Sequence, residues 1–292
     1  MSAPQVAASP PGGTREMLRI TLSLAVACVL GAALLGAVYV ATDRYQRGAR
    51  AAEEARSISE LLQLPPSATV RKVAISYSPS LRRVLYEFPA SHPGVGGPAG
   101  RARTVVFGLD GRMLQNSPGS ADSLAGSQRL LPLGRIFVAS AAGRPAGSVV
   151  EGTTQGYKNR IRFLVGLDSR FQVTGVRVVE HEEDPGLGAE VATSAFCGQF
   201  AGRTAGGMDS LGVTRDPMPE DWSAALASLS RLGPEAWERA YGSLRERERT
   251  RPIYAVTGAT ISSRALTRGV QAEVAHFRRR WDLISPYLEA VP

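Results

Sequence analysis

Cysteine, lysine and histidine are scarce in this sequence of 292 residues, and each shortage removes a class of function. The two cysteines, Cys28 and Cys197, lie far apart, and neither a CxxC nor a CxxCH pair occurs. That count supports no disulfide framework and no iron–sulfur, c-type haem or structural zinc site. The three histidines, His92, His181 and His276, are too dispersed to suggest a metal centre. Of 34 basic residues only Lys72 and Lys158 are lysine, and 26 acidic residues are scattered among them. The net charge of +8 forms no long block, so a nucleic-acid partner is not expected. The sequence also lacks GxGxxG, GxxxxGK[ST] and GxSxG, the signatures of dinucleotide, triphosphate and serine-hydrolase sites. Redox chemistry in such a chain would fall to an organic cofactor.

The most conspicuous feature present is a long hydrophobic run. From Ile20 to Ala41 there are 22 residues without a charge. At ~1.5 Å per residue they reach about 33 Å, enough to cross a bilayer. The run exceeds the roughly 7–15 residues of a signal-peptide core and no cleavage site follows it, which predicts a retained anchor. Gly31, Ala32 and Gly36 give it a small-residue face suited to a neighbouring membrane helix. Arg15 and Arg19 precede it and Arg44, Arg47 and Arg50 follow, so the positive-inside count leaves the orientation open. Part of the basic charge is placed to face anionic membrane lipid. Residues 1–14, small and Pro/Gly-containing, read as disordered.

Beyond the run, Tyr45, Ala49, Ala52, Ala55, Ile58 and Leu62 recur at three and four, predicting a short amphipathic helix stopped by Pro65 and Pro66. Between 67 and 135 only Val105-Val106-Phe107, a strand entering a turn at Asp110-Gly111, and a Pro/Gly-rich loop from Pro89 to Gly100 stand out. From about Arg135 the pattern is β. Ile136-Phe137-Val138, Ser148-Val149-Val150, the alternating Ile161, Phe163, Val165 and Leu167, and Val173 to Val179 read as successive antiparallel strands with one buried face. A polar, helix-rich insertion from Pro219 to Glu248 carries Trp222 and Trp237. The fold class is therefore α+β.

Two segments hold the residues a site would need. The first is the strand exit His181-Glu182-Glu183-Asp184-Pro185-Gly186-Leu187-Gly188. Gly186 and Gly188 permit close backbone approach, Pro185 stiffens the turn, and His181 and Glu183 alternate at its start. The second is Ala255-Val256-Thr257-Gly258-Ala259-Thr260-Ile261-Ser262-Ser263. Ile261, Ala265, Leu266, Val270, Val274, Phe277 and Trp281 read as one face of a final helix, with Thr257 or Gly258 near its N-cap and Thr260 in or just before its first turn. A helix start attracts phosphate, and a hydroxyl there can be esterified by one. On these residues alone, a solvated hairpin exit and an ordinary threonine-capped helix are the favoured readings. A hydrolase pairing of His181 with Ser262 or Thr260 has no nucleophile elbow behind it.

Together and in this order, the two segments resemble the FMN-binding domain of the Rnf-complex G subunit and of the C subunit of sodium-translocating NADH:quinone reductase. In that family a Gly-Tyr segment precedes an antiparallel pair, which ends in His-x-Glu-Thr-Pro-Gly-Leu-Gly. An Asp-x-x-Ser/Thr-Gly-Ala-Thr motif then leads into the last helix. Here Gly156-Tyr157 precedes Ile161 to Leu167, the loop runs from His181 to Gly188, and the motif reads Tyr254-Ala255-Val256-Thr257-Gly258-Ala259-Thr260. The resemblance covers roughly residues 150–280 and the anchor. Asp184 replaces the family's threonine, and Tyr254 replaces its aspartate.

The resemblance implies FMN attached by a phosphodiester to Thr260, placed there by a flavin transferase that uses FAD as donor with Mg²⁺. Thr257, Gly258, Ala259, Ser262 and Ser263 would surround the phosphate. His181, Glu183, Gly186, Leu187 and Gly188 would line the isoalloxazine, with Leu187 against its face. No acid–base catalytic residue and no metal are implied. The chain would be an electron-relaying subunit of an ion-translocating Rnf-type complex in the inner membrane, with other membrane subunits as partners. Residues 1–19 would form a cytoplasmic tail, 20–41 the span, 42–66 a juxtamembrane helix or linker, and 67–292 an extracytoplasmic FMN-binding domain. The C subunit of the quinone reductase and a non-redox, partner-binding module that has lost its flavin, given Tyr254, are the alternatives.

Overall fold

The computed structural model describes residues 13–88, 102–126, 128–141 and 144–289. The Pro89–Gly100 loop, His92 and nearly all of the tail 1–14 lie outside the described residues. Contacts divide the chain into two units, residues 1–56 and residues 57–292.

The first unit is helical. Helix α1 covers Thr14–Leu62, so its last residues, from Ser57, belong to the second unit. It is one helix, where the sequence suggests a span and a separate amphipathic helix. Nothing between Thr42 and Leu62 breaks the backbone ladder except Gly48, which costs a helix about 1 kcal/mol without ending it. Asp43 and Arg47 pair one turn apart across the expected junction. The helix ends before Pro65-Pro66, as expected. Its apolar run, including Leu22, Val29 and Leu35, is exposed, and among the described residues it is long and apolar enough to cross a membrane.

The second unit is α+β. After α1 come β1 (Thr69–Ser78), β2 (Arg83–Phe88), β3 (Arg103–Gly108), β4 (Met113–Pro118) and a short α2 (Ala121–Ala125). Strands β5 (Leu131–Ala141), β6 (Arg144–Gln155), β7 (Arg160–Leu167) and β8 (Val173–Glu180) follow, then α3 (Ser194–Cys197), α4 (Ala205–Asp209) and β9 (Val213–Thr214). The chain closes with α5 (Glu220–Ala227), α6 (Pro234–Glu248), β10 (Ile253–Tyr254) and the long α7 (Thr260–Glu289).

Strands β1 to β8 form one antiparallel sheet in the order β4-β3-β2-β1-β5-β6-β7-β8. The stretch from 67 to 135, mostly unreadable in sequence, builds its first half. The four strands expected after Arg135 pair in sequence order. They are covered on both faces, however. Alternation sends Ile161, Phe163, Val165 and Leu167 to one face, where they join Leu266, Val270 and Phe277 of α7 in the main core. Leu164, Phe137 and Val149 point the other way and are buried against Ile58 and Leu61, the end of α1. Glu151 is also on that second face, held between Arg135 (2.6 Å) and Arg162 (2.9 Å).

Helix α7 lies close to the sheet because a glycine faces it. A Cβ on Gly269 would stand 2.9 Å from Phe163 Cε1 and from Thr154 Cβ. The inward stripe of α7 differs from expectation at one residue. Ile261 is exposed, whereas Ser262 and Ser263 are buried. Counting back four and three residues from Leu266 arrives at these two serines, so 3.6-residue periodicity turns them inward and leaves Ile261 outside.

The insertion makes a small core of its own. Trp222 of α5 meets Trp237 of α6 edge-on at 6.2 Å, and both pack with Leu226 and Tyr254. Tyr254 thereby fastens the strand leading to the threonine turn onto the insertion.

Candidate functional site

Three backbone segments converge where β8 ends. The β6–β7 turn contributes residues 156–159, the strand exit contributes 181–188, and the start of α7 contributes 257–263. A cleft of about 340 Å³ opens between them. It is lined by Glu183, Leu187, Gly188, Gly258, Ala259, Thr260 and Ser262, all candidates from sequence, and by Tyr157, Asp184 and Ile261. Thr257, Gly186, His181 and Ser263 do not line it.

Glu183 joins the three segments. Its carboxylate accepts from the backbone N–H groups of Tyr157 (3.2 Å), Lys158 (2.9 Å) and Asn159 (3.3 Å), and from the hydroxyl of Ser262. The residue is buried, and burial by itself would raise its pKa. The hydrogen bonds from Ser262 and the three N–H groups outweigh that and hold the carboxyl below the ordinary glutamate value, so it is ionised at neutral pH. Two glycines make room for it. A Cβ on Gly188 would stand 2.7 Å from Glu183 Oε2, and one on Gly156 would collide with Oε1.

The threonine turn is held from the inside. The hydroxyl of Ser263 accepts from Val256 N (3.1 Å) and donates to Ala259 O (2.9 Å), stapling the turn to the first turn of α7. Ser262 and Ser263 therefore have their hydroxyls committed to the scaffold. The helix begins at Thr260, so Thr260 opens the first turn and Gly258, at φ +79°, ends the turn just before it. Ser263 N bonds to Ala259 O, so the N–H groups of Thr260, Ile261 and Ser262 lie ahead of the helical ladder. Thr260 is half-buried at the cleft, and Thr257 is exposed.

The loop after β8 turns on itself, with Leu187 N and Ala189 N both bonded to Asp184 O and Gly186 at φ +74°. Leu187 stays exposed, as do Tyr157 and Ile261 on the same cleft. Lys158 Nζ binds Asp184 Oδ1 at 2.7 Å near the mouth, and Asp184 raises the lysine pKa. His181 is half-buried, and its Nδ1 has no hydrogen-bond partner among the described residues. Since the Ser262 hydroxyl goes to Glu183, the His181–Ser262 hydrolase pairing is not made.

Sequence reasoning missed Tyr157, Asp184 and Ile261 as lining residues. The helical count from Leu266 could have placed Ile261 outward. The Gly-Tyr pair was read only as a landmark, and Asp184 only as a departure. Among the described residues no His, Cys, Asp and Glu group is arranged to hold a metal ion.

Just upstream, Tyr254 is buried. Gln199 clamps its backbone from both sides, accepting from Tyr254 N (2.8 Å) and donating to Tyr254 O (3.2 Å). The phenol donates to Glu248 Oε2 (3.1 Å), and burial together with the Glu248 charge raises its pKa. Arg203, also buried, donates to Gln199 O (2.8 Å), Arg249 O (2.7 Å) and Arg251 O (2.8 Å). Desolvation pushes its pKa down to about 10. Cys197 is buried, and burial raises its thiol pKa to about 12, so it is an inert packing residue.

Residues 156–275 match the model of the FMN-binding domain family. The G subunit of an ion-translocating oxidoreductase complex from Aliivibrio fischeri is 38% identical over 82 residues, 27% of this chain and 38% of that protein. The protein of the same name from Pectobacterium atrosepticum is 45% identical over 71 residues, 23% of this chain and 34% of that one. The G subunit of a proton-translocating ferredoxin:NAD(+) oxidoreductase complex from Clostridium ljungdahlii is 29% identical over 138 residues, 47% of this chain and 57% of that one. The chain thus spans about a third to just over half of the length of these relatives. A crystal structure of Shewanella oneidensis NqrC superposes with a TM-score of 0.47 at 15% identity, covering 82% of this chain and 99% of that one.

Proposed function

Taking the match of residues 156–275 to the FMN-binding domain as the premise, we propose that this chain is a membrane-anchored flavoprotein subunit of an Rnf-type, ion-translocating electron-transport complex, with FMN joined by a phosphodiester to Oγ1 of Thr260. The observation that carries the reading is that every residue lining the cleft lies inside the matched segment, with Thr260 opening α7 at its wall.

The residues present fit such a group. The N–H groups of Thr260, Ile261 and Ser262 precede the helical ladder and suit a phosphodiester anion. Gly258 keeps the turn thin, since a Cβ there would stand 2.9 Å from Leu187 Cδ2. Exposed Tyr157, Leu187 and Ile261 offer apolar surface for a flat ring. FMN supplies the capacity to take up and pass on electrons. The chain's own work is to hold the tether: Glu183 fixes the loop, Ser262 and the β6–β7 turn together, and Ser263 fixes the turn that presents Thr260.

Within this reading residues 20–41 are the span, 42–66 link it to the domain, and 67–292 face the extracytoplasmic side. The relatives named as G subunits favour Rnf membership over the C subunit of the quinone reductase. A flavin transferase loads the cofactor, and other membrane subunits exchange electrons with it. The non-redox alternative draws on one observation, the buried tyrosine where the family motif has aspartate.

The test is direct. The full chain, co-expressed with a flavin transferase, is resolved on a denaturing gel beside Thr260→Ala. The expected result is flavin fluorescence in the wild-type band alone. A dark wild-type band beside a positive transferase control rejects covalent attachment, and a fluorescent Thr260→Ala band rejects the attachment site.

A further inference from the structure

The cleft holding Thr260 combines two properties that act on a bound ring. Tyr157, Leu187 and Ile261 are 67%, 49% and 58% exposed, an apolar collar around one opening. A flat aromatic group covering that collar removes all three from water. The same cleft is lined by Glu183, buried and ionised, and by the half-exposed Asp184. Lys158 bridges to Asp184 and, with Glu182 and Glu183 also close enough to act on it, is one cation facing three carboxylates.

We propose that the fixed negative charge of Glu183 and Asp184, which line the same cleft as this collar, makes the bound flavin harder to reduce. This inference rests on the flavin reading above. Dithionite reduces oxidised flavin by giving it two electrons, with one proton taken from water, and is itself oxidised to sulfite. Two electrons against one proton leave the reduced ring more negative than the oxidised one. A fixed anion nearby disfavours it. Low-dielectric walls such as this collar strengthen the effect relative to open water.

The experiment uses the full-length, flavin-loaded protein in detergent, with loading read first by in-gel fluorescence. Midpoint potentials are then measured by dithionite titration with mediator dyes for the wild type, Asp184→Asn and Lys158→Met. Both substitutions fall at exposed side chains, 48% and 56% accessible, so they leave the scaffold in place. Asp184→Asn is expected to raise the potential, and Lys158→Met, which strips the counter-charge from Asp184, to lower it. Glu183→Gln, where it folds, is expected to raise it further than Asp184→Asn. Potentials equal to wild type in both surface variants, or moved in the opposite senses, overturn the inference while leaving the tether intact. A wild-type protein with a dark band on the gel and no flavin absorbance in its native state overturns the flavin reading and this inference with it.

Discussion

The hydroxyl of Ser262, in the first turn of α7, donates to Oε2 of Glu183, in the loop after β8, across 79 residues of sequence. The same carboxylate accepts three N–H groups from the β6–β7 turn, so a single side chain closes the site. Glu183→Ala would leave the buried Ser262 hydroxyl and three part-buried N–H groups without their acceptor. The expected destabilisation is about 3 kcal/mol, since an orphaned buried donor costs ~1–3 kcal/mol and water reaching the part-buried N–H groups recovers much of their share. Ser262→Ala removes one bond to a charged acceptor and should cost about 1.5 kcal/mol. Urea unfolding of the full chain in detergent, followed by tryptophan fluorescence, measures both, and near-equal effects would contradict the central position of Glu183.

Acid should loosen the same knot. Hydrogen bonds depress the Glu183 pKa in the folded protein, and Arg135 and Arg162 depress that of Glu151 against the opposing effect of its burial. A carboxyl with a depressed folded pKa adds stability that is present above its unfolded pKa. That stability is lost as pH falls through the folded value. The contribution of these two carboxyls should therefore be flat near neutrality and decline below the ordinary glutamate range. Glu183→Gln, uncharged throughout, should be less stable at pH 7 and show a shallower decline. Thermal melts between neutral and acidic pH read the slope, and parallel profiles for wild type and variant would contradict the assignment.

Gly258 carries two constraints at once. Its φ of +79° is strained for any residue with a Cβ, and that atom would meet Leu187 Cδ2 at 2.9 Å. Gly258→Ala is expected to cost ~1–2 kcal/mol and to displace Leu187 from the cleft. If Thr260 carries the flavin as proposed, its attachment should fall more than for Gly186→Ala. Gly186 also has a positive φ, yet a Cβ there meets nothing within 4 Å. Equal attachment in the two alanine variants would show that strain alone, without the Leu187 contact, governs the turn.

Much of this architecture is legible in sequence where a periodic signal is strong. The alternation of Ile161, Phe163, Val165 and Leu167 specifies a strand and its core face. It does not show that Leu164 is buried too, because its partners Ile58 and Leu61 come from α1, about a hundred residues earlier. The first half of the sheet is obscure for a similar reason. The β4 residues Met113, Leu114, Gln115 and Asn116 are exposed at the sheet edge and follow no apolar alternation. At the site, the glycines and threonines of 186–188 and 257–260 mark the turns. The hydrogen bonds that join them run from Glu183 to N–H groups of Tyr157, Lys158 and Asn159. Backbone donors have no residue identity, so sequence cannot point to them.

Tyr254 gives the sharpest test of the position where this chain departs from the motif it resembles. Its ring packs with Trp222, Leu226 and Trp237, and its hydroxyl reaches buried Glu248. Tyr254→Phe loses only the hydroxyl contact. Glu248 keeps Arg247 at 3.1 Å and Arg251 at 3.6 Å, so the cost should be about 1 kcal/mol. Tyr254→Asp restores the family residue but opens a cavity among the tryptophans and sets a second carboxylate beside Glu248. The expected loss is several kcal/mol, as for other buried unpaired charges. Gln199 binds only the backbone of residue 254, so its two bonds survive either change. If Tyr254→Asp proves as stable as Tyr254→Phe, the tyrosine is not the pillar that joins the insertion to the threonine turn. If it is unstable, position 254 serves packing here, and the proposed loading of Thr260 would proceed without a carboxylate at that position.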